Sequence, residues 1–518
     1  MRAAIVRAGL AGLVLAALPL APVAQGQAPS RLVVGLSADI RSLEPGVNRD
    51  SNTDTVIHQI FEGLVAYRRD LSVGPALADS WEISDEGKTY TFKLRDGATF
   101  HNGKPVTSAE VKWMWERLIG ASTWGCRVVF DGRSGARVTG VEAPDPKTVV
   151  FRLDRPSALF LKQLANLQCH IVAAHPDSVD AEGKWTTPIG SGPLRLKEWR
   201  RAEYILLEKV ADYRPSSAPA SGFAGARAML VDQVQFRVIP DASAREAALV
   251  TGAVDIVHQI EPQQIETLRQ RGMQVSSVPG LAWAVLLLQT DDPLLSNVKI
   301  RQAIAHALDL KQIAEARNLG LADANPSAVS GATAFFTPHF TQWPAHDPAR
   351  AQALLREAGY KGEPLRLQTN RQYAAMYQNA VMMEAMLTAA GFKVQLDVVD
   401  WATQLSNYLN GRFQMQSFSF SPRFDPGLLY ATFIADKAAI KTAQYGDAEA
   451  IRLLAESERL SDDAARGRIF AQLHDRIRAD VPIIPLYFSP NIEAVHPRVQ
   501  GYAPWPANQP ITWGVSKR

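Results

Sequence analysis

Apolar and polar residues alternate with a period of two in several short segments of the N-terminal half. Thr89–Arg95, Val149–Leu153 and Val234–Val238 have this pattern, which predicts half-buried β-strands. Leu32–Leu36 is apolar almost throughout and predicts a buried strand.

Other segments have the spacing of amphipathic helices. Thr107–Glu110 has the form of a capping box, and the apolar residues that follow fall at i, i+3, i+4 and i+7: Val111, Met114, Trp115 and Leu118. In the C-terminal half, Asp347–Pro348 predicts a capped helix start and Gly391 a helix end. Because strand and helix signals alternate along most of the chain, the sequence predicts an α/β protein.

Residues 1–26 have the parts of a secretory signal peptide. Arg2 and Arg7 form a basic start, residues 8–18 are apolar, and residues 24–26 carry the small side chains of a cleavage region. The apolar segment is shorter than the roughly 20 residues that span a bilayer. An amphipathic core helix is the alternative, but the segment is apolar on all sides. We therefore expect a soluble periplasmic protein, and no lipoprotein because no cysteine lies near the cleavage region.

The composition is that of a folded protein with a large core: 47% of the residues are hydrophobic and 21% are charged. The 518 residues suggest about three structural units. The net charge of +3 falls to +1 when the two arginines of the signal segment are removed. So small a charge argues against nucleic acid as a partner.

Only two cysteines, Cys126 and Cys169, occur in the chain. This number excludes a cysteine-rich metal scaffold. In an oxidising compartment the simplest expectation is a disulfide between them, and two buried free thiols are the alternative.

Local signatures of enzymes are absent from the sequence. It contains no Gly-x-Ser-x-Gly elbow, no His-Glu-x-x-His helix and no phosphate-binding loop. A metal or thiol site at Cys169, His170 and His175 would have too few ligands. We expect no catalytic residue, no metal and no cofactor. Loop aromatics such as Trp401 and Phe418 are instead the material of a small-molecule pocket, although core packing is the default for each.

Several ordered blocks resemble one family. They are Leu43–Pro45, Ile60–Val65, Pro75–Val111, Pro188–Pro193, Val238–Asp241, Gly252–Ile256, Val298–Asp309 and Asp347–Tyr360. Together they are similar to the large solute-binding proteins of peptide- and nickel-type ABC importers, family 5 of the bacterial extracellular solute-binding proteins.

This resemblance implies a type II-like periplasmic-binding-protein fold: two α/β lobes, an extra subdomain on the first lobe and a hinged cleft between the lobes. The implied divisions are a signal peptide (1–26), lobe 1 (27–73 and 189–280), the extra subdomain (74–188), lobe 2 (281–487) and a return to lobe 1 (488–518). The closed form would deliver a small-molecule solute to an ABC permease in the inner membrane, and the protein is expected to be a monomer.

One departure from the family concerns the ligand. Peptide-binding members often have a Trp-x-x-Asp-Tyr segment whose Asp pairs with the peptide α-amine, whereas Pro422 and Arg423 stand here in place of the Asp and the aromatic residue. We expect Arg423 to meet an anionic or carboxylated group, and a structurally paired arginine is the alternative. Asp425 is expected either to bind ligand or to cap a helix that starts near Gly427. The candidate ligand-binding residues are Asn48, Trp124, Trp283, Trp401, Phe418, Arg423 and Asp425.

Three function classes remain at this point. The first is a solute receptor for a small organic ligand. The second is an oligopeptide, dipeptide, metal-chelate or haem binder on the same scaffold. The third, from a different class, is a secreted enzyme or chaperone that uses the cleft.

Overall fold

A computed structural model describes residues 29–47, 50–122, 124–133, 135–169, 171–460 and 462–518. The predicted signal segment and Asn48 lie outside the described residues. Within the described part of the chain, no helix has the length and apolar character needed to cross a membrane.

The strands are β1 (Arg31–Leu36), β2 (Glu62–Gly63), β3 (Val65–Tyr67), β4 (Val73–Pro75), β5 (Ala78–Ser84), β6 (Thr89–Leu94), β7 (Val138–Asp145), β8 (Thr148–Leu153), β9 (Val172–Ala173), β10 (Leu194–Arg200), β11 (Tyr204–Lys209), β12 (Gln233–Val238), β13 (Ile256–His258), β14 (Gln274–Leu288), β15 (Leu365–Thr369), β16 (Val394–Val398), β17 (Met415–Phe420), β18 (Ile483–Val495), β19 (Val499–Gln500) and β20 (Ser516–Lys517). The helices are α1 (Ser51–Ile60), α2 (Ser108–Gly120), α3 (Arg127–Phe130), α4 (Phe160–Leu164), α5 (Ala242–Val250), α6 (Ile265–Gln270), α7 (Val298–Ala307), α8 (Leu310–Asn318), α9 (Pro348–Glu357), α10 (Ala374–Ala389), α11 (Trp401–Leu409), α12 (Pro426–Tyr430), α13 (Ala448–Arg459) and α14 (Asp463–Asp480).

Many helices begin where a short polar side chain accepts a backbone N–H of the first turn. At α2 the predicted capping box is present: Thr107 accepts from the backbone, and Glu110 accepts from the Thr107 N–H at 3.0 Å. The same kind of cap, from Asp347, precedes α9. Helix positions are therefore largely encoded by local sequence.

A ten-stranded sheet in the order β10-β11-β12-β1-β13-β18-β14-β17-β15-β16 forms the frame of the molecule. β14 and β18 pair antiparallel along most of their length and are the central strands. β10 to β13 lie on one side of this pair and β15 to β17 on the other. The mixed α/β architecture with two lobes agrees with the predicted fold class.

The pairing of β14 with β18 is interrupted between Val278 and Ala282, where the two strands pass from one lobe to the other. A Cβ atom on Gly280 would lie 2.0 Å from the carbonyl oxygen of Ser489. No side chain fits at that distance, so glycine is required for the close approach of the two strands.

Each lobe has its own apolar core. In the second lobe, alternate residues of β14 enter the cores on the two faces of the sheet: Leu286 packs on one face, and Trp283 and Leu287 on the other. The core of the first lobe also contains Trp505 and Trp513 from the C-terminal segment.

A separate four-stranded sheet, β5-β6-β8-β7, packs with α2 against the first-lobe core. Cys126 and Cys169 form the expected disulfide beside this sheet, with Cα atoms 5.5 Å apart. We call the four strands, α2 and the disulfide the stapled unit. Trp124 stacks on Phe130 here, with ring centroids 5.8 Å apart.

Candidate functional site

The directions of the strands place the carboxyl ends of the parallel strands in one lobe opposite those in the other lobe. β1 and β13 are parallel, and β13 and β14 are both antiparallel to β18, so the parallel strands of the first lobe run toward the second. β15, β16 and β17 are mutually parallel, and β17 is antiparallel to β14. They therefore run toward the first lobe. Ligands of open α/β sheets bind outside such carboxyl ends, which makes the interlobe cleft the candidate site.

A row of aromatic rings begins on the second-lobe side of this cleft and continues into the second-lobe core. Tyr373, after β15, meets Trp401 at 5.0 Å, and Trp401 meets Phe418 of β17 at 5.8 Å. Phe418 in turn packs on Phe420 at 5.2 Å, and Phe420 lies 5.7 Å from Trp283. Of the predicted site residues, the structure thus brings Trp401, Phe418 and Trp283 into one continuous row.

Exposure differs along this aromatic row. Tyr373 is 39% exposed and Trp401 is half-buried, whereas Phe418 and Phe420 are each 5% exposed and belong to the second-lobe core. Trp283 is fully buried among Phe420, Phe433 and Phe488, and its indole N–H has no hydrogen-bond partner among the described residues. The Tyr373 end of the row is therefore accessible, and the Trp283 end supports it from below.

The segment 421–427, which we call the cleft loop, follows β17. Arg423 donates hydrogen bonds to the backbone oxygens of Ser421 and Pro422 at 3.0 and 3.2 Å. These bonds fold the guanidinium back over its own loop at the cleft edge. Whether it contacts a ligand stays a prediction.

Asp425 of the cleft loop is fully buried and caps α12, as one of its two predicted roles required. Its Oδ1 accepts from the Gly427 N–H at 2.8 Å and from Arg466 at 2.6 Å. Its Oδ2 accepts from Arg466 at 2.9 Å and from Lys162 at 2.5 Å. Burial alone would raise the pKa of Asp425, but the two cations lower it to about 2. Both oxygens are thus occupied, and the predicted ligand contact of Asp425 remains a prediction.

The first lobe contributes charged groups to the same cleft. Asp50 caps α1 by accepting from the Thr53 N–H at 2.8 Å. Burial raises the pKa of Tyr373, and the nearby charges of Asp50 and Arg41 act on it in opposite directions. Asp50 and Arg41 of the first lobe therefore lie close enough to Tyr373 of the second lobe for their charges to act on it.

Trp124 occupies a different environment from the other predicted site residues. It is 2% exposed and lies in the core of the stapled unit, with Trp115 edge-on at 6.5 Å. A Cβ atom on Gly46 would lie 3.0 Å from its indole nitrogen. Trp124 therefore supports the loop that leads to Asn48, and a direct ligand contact is untested.

Sequence reasoning missed four residues at this site: Tyr67, Lys162, Phe424 and Arg466. Tyr67 stacks on Phe424 with centroids 4.0 Å apart, and the partners of Asp425 are 263 and 41 residues away in the chain. No local pattern indicates such pairs. Among the described residues, no group of three or more His, Cys, Asp or Glu side chains is arranged to hold a metal ion.

Three comparisons with known proteins bear on this geometry. Residues 72–440 match the family described as bacterial extracellular solute-binding proteins, family 5 Middle. The glutathione-binding protein GsiB of Escherichia coli (strain K12) is 24% identical over 523 residues, 97% of each chain.

Two solved structures have the same fold. The periplasmic binding protein AgaA of A. tumefaciens R10, in complex with agropinic acid, is 26% identical with a TM-score of 0.81, covering 94% of this chain and 99% of that one. The periplasmic binding protein DppA of Helicobacter pylori, in complex with the peptide STSA, is 24% identical with a TM-score of 0.82, covering 94% and 98%.

Proposed function

The chain belongs to family 5 of the bacterial extracellular solute-binding proteins, the substrate-binding components of ABC importers, and from this premise we propose that it captures a small anionic organic solute between its lobes. The observation that carries the proposal is the charge of the cleft loop. Pro422 stands where peptide binders often have the carboxylate for an α-amine, and Arg423 stands where they have an aromatic residue. The remaining carboxylate, Asp425, is already held by two cations.

A carboxylated solute fits these surroundings. A guanidinium binds a carboxylate through two parallel hydrogen bonds, each stronger than a neutral one. Arg41 and Arg371 are further cations near the proposed site, because the charge of Arg41 acts on Tyr373 and Arg371 follows the carboxyl end of β15. An ammonium ligand would instead meet an excess of positive charge.

The aromatic row supplies the apolar part of the proposed site. Trp401 and Phe418 contact the solute, Trp283 positions them, and Arg423 binds the anionic group. Trp124 and Asn48 are kept as further proposed ligand-binding residues. Asp425 acts as a positioning residue that fixes the backbone after Arg423 through its cap of α12.

The relatives support a small solute without choosing among chemical classes. GsiB is named for glutathione, and AgaA was solved with agropinic acid. DppA with the peptide STSA represents the alternative, an oligopeptide or dipeptide binder. A metal-chelate or haem binder is a further alternative on the same scaffold, and a secreted enzyme or chaperone belongs to another class.

The remaining parts of the proposal concern the whole protein. Residues 1–26 direct export and are removed, and the mature chain is a soluble periplasmic monomer without a lipid anchor. Lobe 1 comprises residues 27–73, 189–280 and 488–518, lobe 2 comprises 281–487, and 74–188 is the extra subdomain. The closed form docks on an inner-membrane ABC permease, and the protein performs no catalysis.

The identity of the bound solute tests the proposal directly. The protein is purified without washing steps, denatured, and the released solute is analysed by mass spectrometry. An organic acid supports the proposal, whereas a peptide mixture or a metal complex selects one of the alternatives. Chemical conversion of the solute by the protein would contradict a receptor without catalysis.

Affinity for that solute then tests Arg423. Arg423→Ala should weaken binding about tenfold to a hundredfold, because a hydrogen bond to a charged group contributes about 1.5 to 3 kcal/mol. Arg366→Ala is the matched control, since Arg366 is an exposed arginine of β15 well before the carboxyl end of that strand. Equal affinities of the wild type and Arg423→Ala would remove the anion site.

A further inference from the structure

The two lobes touch beside the cleft through contacts that involve no solute. Lys162 lies on α4, whose Phe160 and Leu164 belong to the first-lobe core. Asp425 precedes α12, whose Leu429 and Tyr430 belong to a second-lobe core. The ion pair between Lys162 and Asp425 therefore joins the lobes.

Two further contacts join the lobes at this place. The backbone N–H of Ala158 donates to the backbone oxygen of Glu458 at 2.6 Å. Phe424 of the cleft loop leaves the second lobe and packs in the first-lobe core, stacked on Tyr67 at 4.0 Å and 5.7 Å from Trp505. The interlobe contact thus combines an ion pair, a backbone hydrogen bond and an aromatic insertion.

Of the two ion pairs made by Asp425, only the one with Lys162 depends on closure of the lobes. Arg466 and Asp425 both belong to the second lobe, so their two hydrogen bonds persist when the lobes separate. Lys162 is the member that arrives from the first lobe, and it stays 23% exposed. Its backbone is fixed in advance, because the Tyr67 hydroxyl donates to the Lys162 carbonyl oxygen at 2.9 Å.

From this arrangement we propose that Lys162 and Asp425 form a latch that holds the lobes closed in the absence of solute. Desolvation offsets much of the attraction in a buried ion pair, which keeps the gain small and the latch reversible. The solute then shifts an equilibrium that already includes the closed form, rather than creating that form. The latch acts whatever the solute is.

The closed fraction of solute-free protein tests the latch. The mature protein is unfolded, dialysed and refolded, and single-molecule energy transfer is measured between dyes placed at the exposed positions 184 and 356, one in each lobe. Lys162→Met should raise the ratio of open to closed molecules about tenfold, in the range measured for close charge pairs. Lys162→Arg keeps the cation and should remain mostly closed.

Two controls make the result decisive. Lys112→Met removes an exposed lysine that pairs with Glu116 within α2, and it should leave the ratio unchanged. Raising the salt concentration from about 0.05 M to about 1 M should open the wild type, because the partly exposed Lys162 is screened, and should change Lys162→Met little. Because the salt series on the wild type requires no substitution, its result does not depend on whether a variant folds.

An equal closed fraction in the wild type and Lys162→Met, or a wild type insensitive to salt, would overturn the latch. Because no solute is present, either result leaves the proposed solute class untouched. Conversely, failure of the Arg423 test leaves the latch standing.

Discussion

The stapled unit and the cleft loop both contain buried side chains, but different forces hold these side chains in place. In the stapled unit, Trp115 packs edge-on against Phe151 at 5.5 Å, and a covalent bond joins cysteines 43 residues apart. In the cleft loop, the carboxylate of Asp425 depends on the cations of Arg466 and Lys162. A ring that loses a neighbour can relax, whereas a buried carboxylate that loses its cation stays desolvated. Stability in the loop therefore rests on far fewer side chains.

Arg466→Met should break the cleft loop most severely. The substitution leaves the carboxylate of Asp425 buried without the guanidinium that donates two hydrogen bonds to it. This loss should lower the unfolding free energy by about 3 to 5 kcal/mol. Denaturant unfolding at neutral pH measures this change. Arg452→Met removes an exposed arginine that pairs with Glu449 and Glu456, and should change stability by about 0.5 kcal/mol or less. Similar losses in the two variants would show that Asp425 does not depend on Arg466.

The matching change in the stapled unit is loss of its disulfide. Cys126→Ala with Cys169→Ala should lower the unfolding free energy by about 4 kcal/mol at most, since the bond joins cysteines 43 residues apart and restricts the unfolded chain. Unfolding of the wild type with added reductant should give the same loss, and reductant should not affect the double variant. A wild type equally stable in reductant would mean that the apolar packing alone holds the unit.

Glu458 sharpens the comparison because it lies at the interlobe contact. Burial raises the pKa of Glu458 from its ordinary value of 4.5 to about 7. Between these two values the folded protein binds the proton and the unfolded chain does not, so this group lowers stability as the pH rises through that window. Glu458→Gln should therefore be about 3 kcal/mol more stable than the wild type at pH about 8, and equally stable near pH about 4.5.

Glu456→Gln is the matched control for Glu458 because Glu456 is exposed on the same helix, α13. Its stability difference from the wild type should be small and should not grow from pH about 5 to about 8. If the stability of Glu458→Gln followed that of Glu456→Gln at every pH, the Glu458 carboxyl would be solvent-exposed and the prediction would be wrong.

Much of the stapled unit could be predicted from the sequence because its determinants are local. The capping box at Thr107 and the helical spacing of Trp115 lie within a few residues, and the expected export to an oxidising compartment favoured the disulfide. The cap of α12 by Asp425 was predicted for the same reason. Its partner Lys162 lies 263 residues away and could not be predicted, since no periodicity links the two positions. Trp124 and Trp401 illustrate a second limit, because a loop aromatic has the same local signal in a core and at a cleft.

The passage of β14 and β18 through both lobes also has a mechanical consequence. A two-stranded antiparallel ribbon cannot lengthen much along its strands, because each backbone is already nearly fully extended, but it twists readily. The lobes are therefore joined by a torsional spring, with its thinnest point where Gly280 passes Ser489. We therefore expect the lobes to open by rotation about this ribbon, and not by lengthening of its two strands.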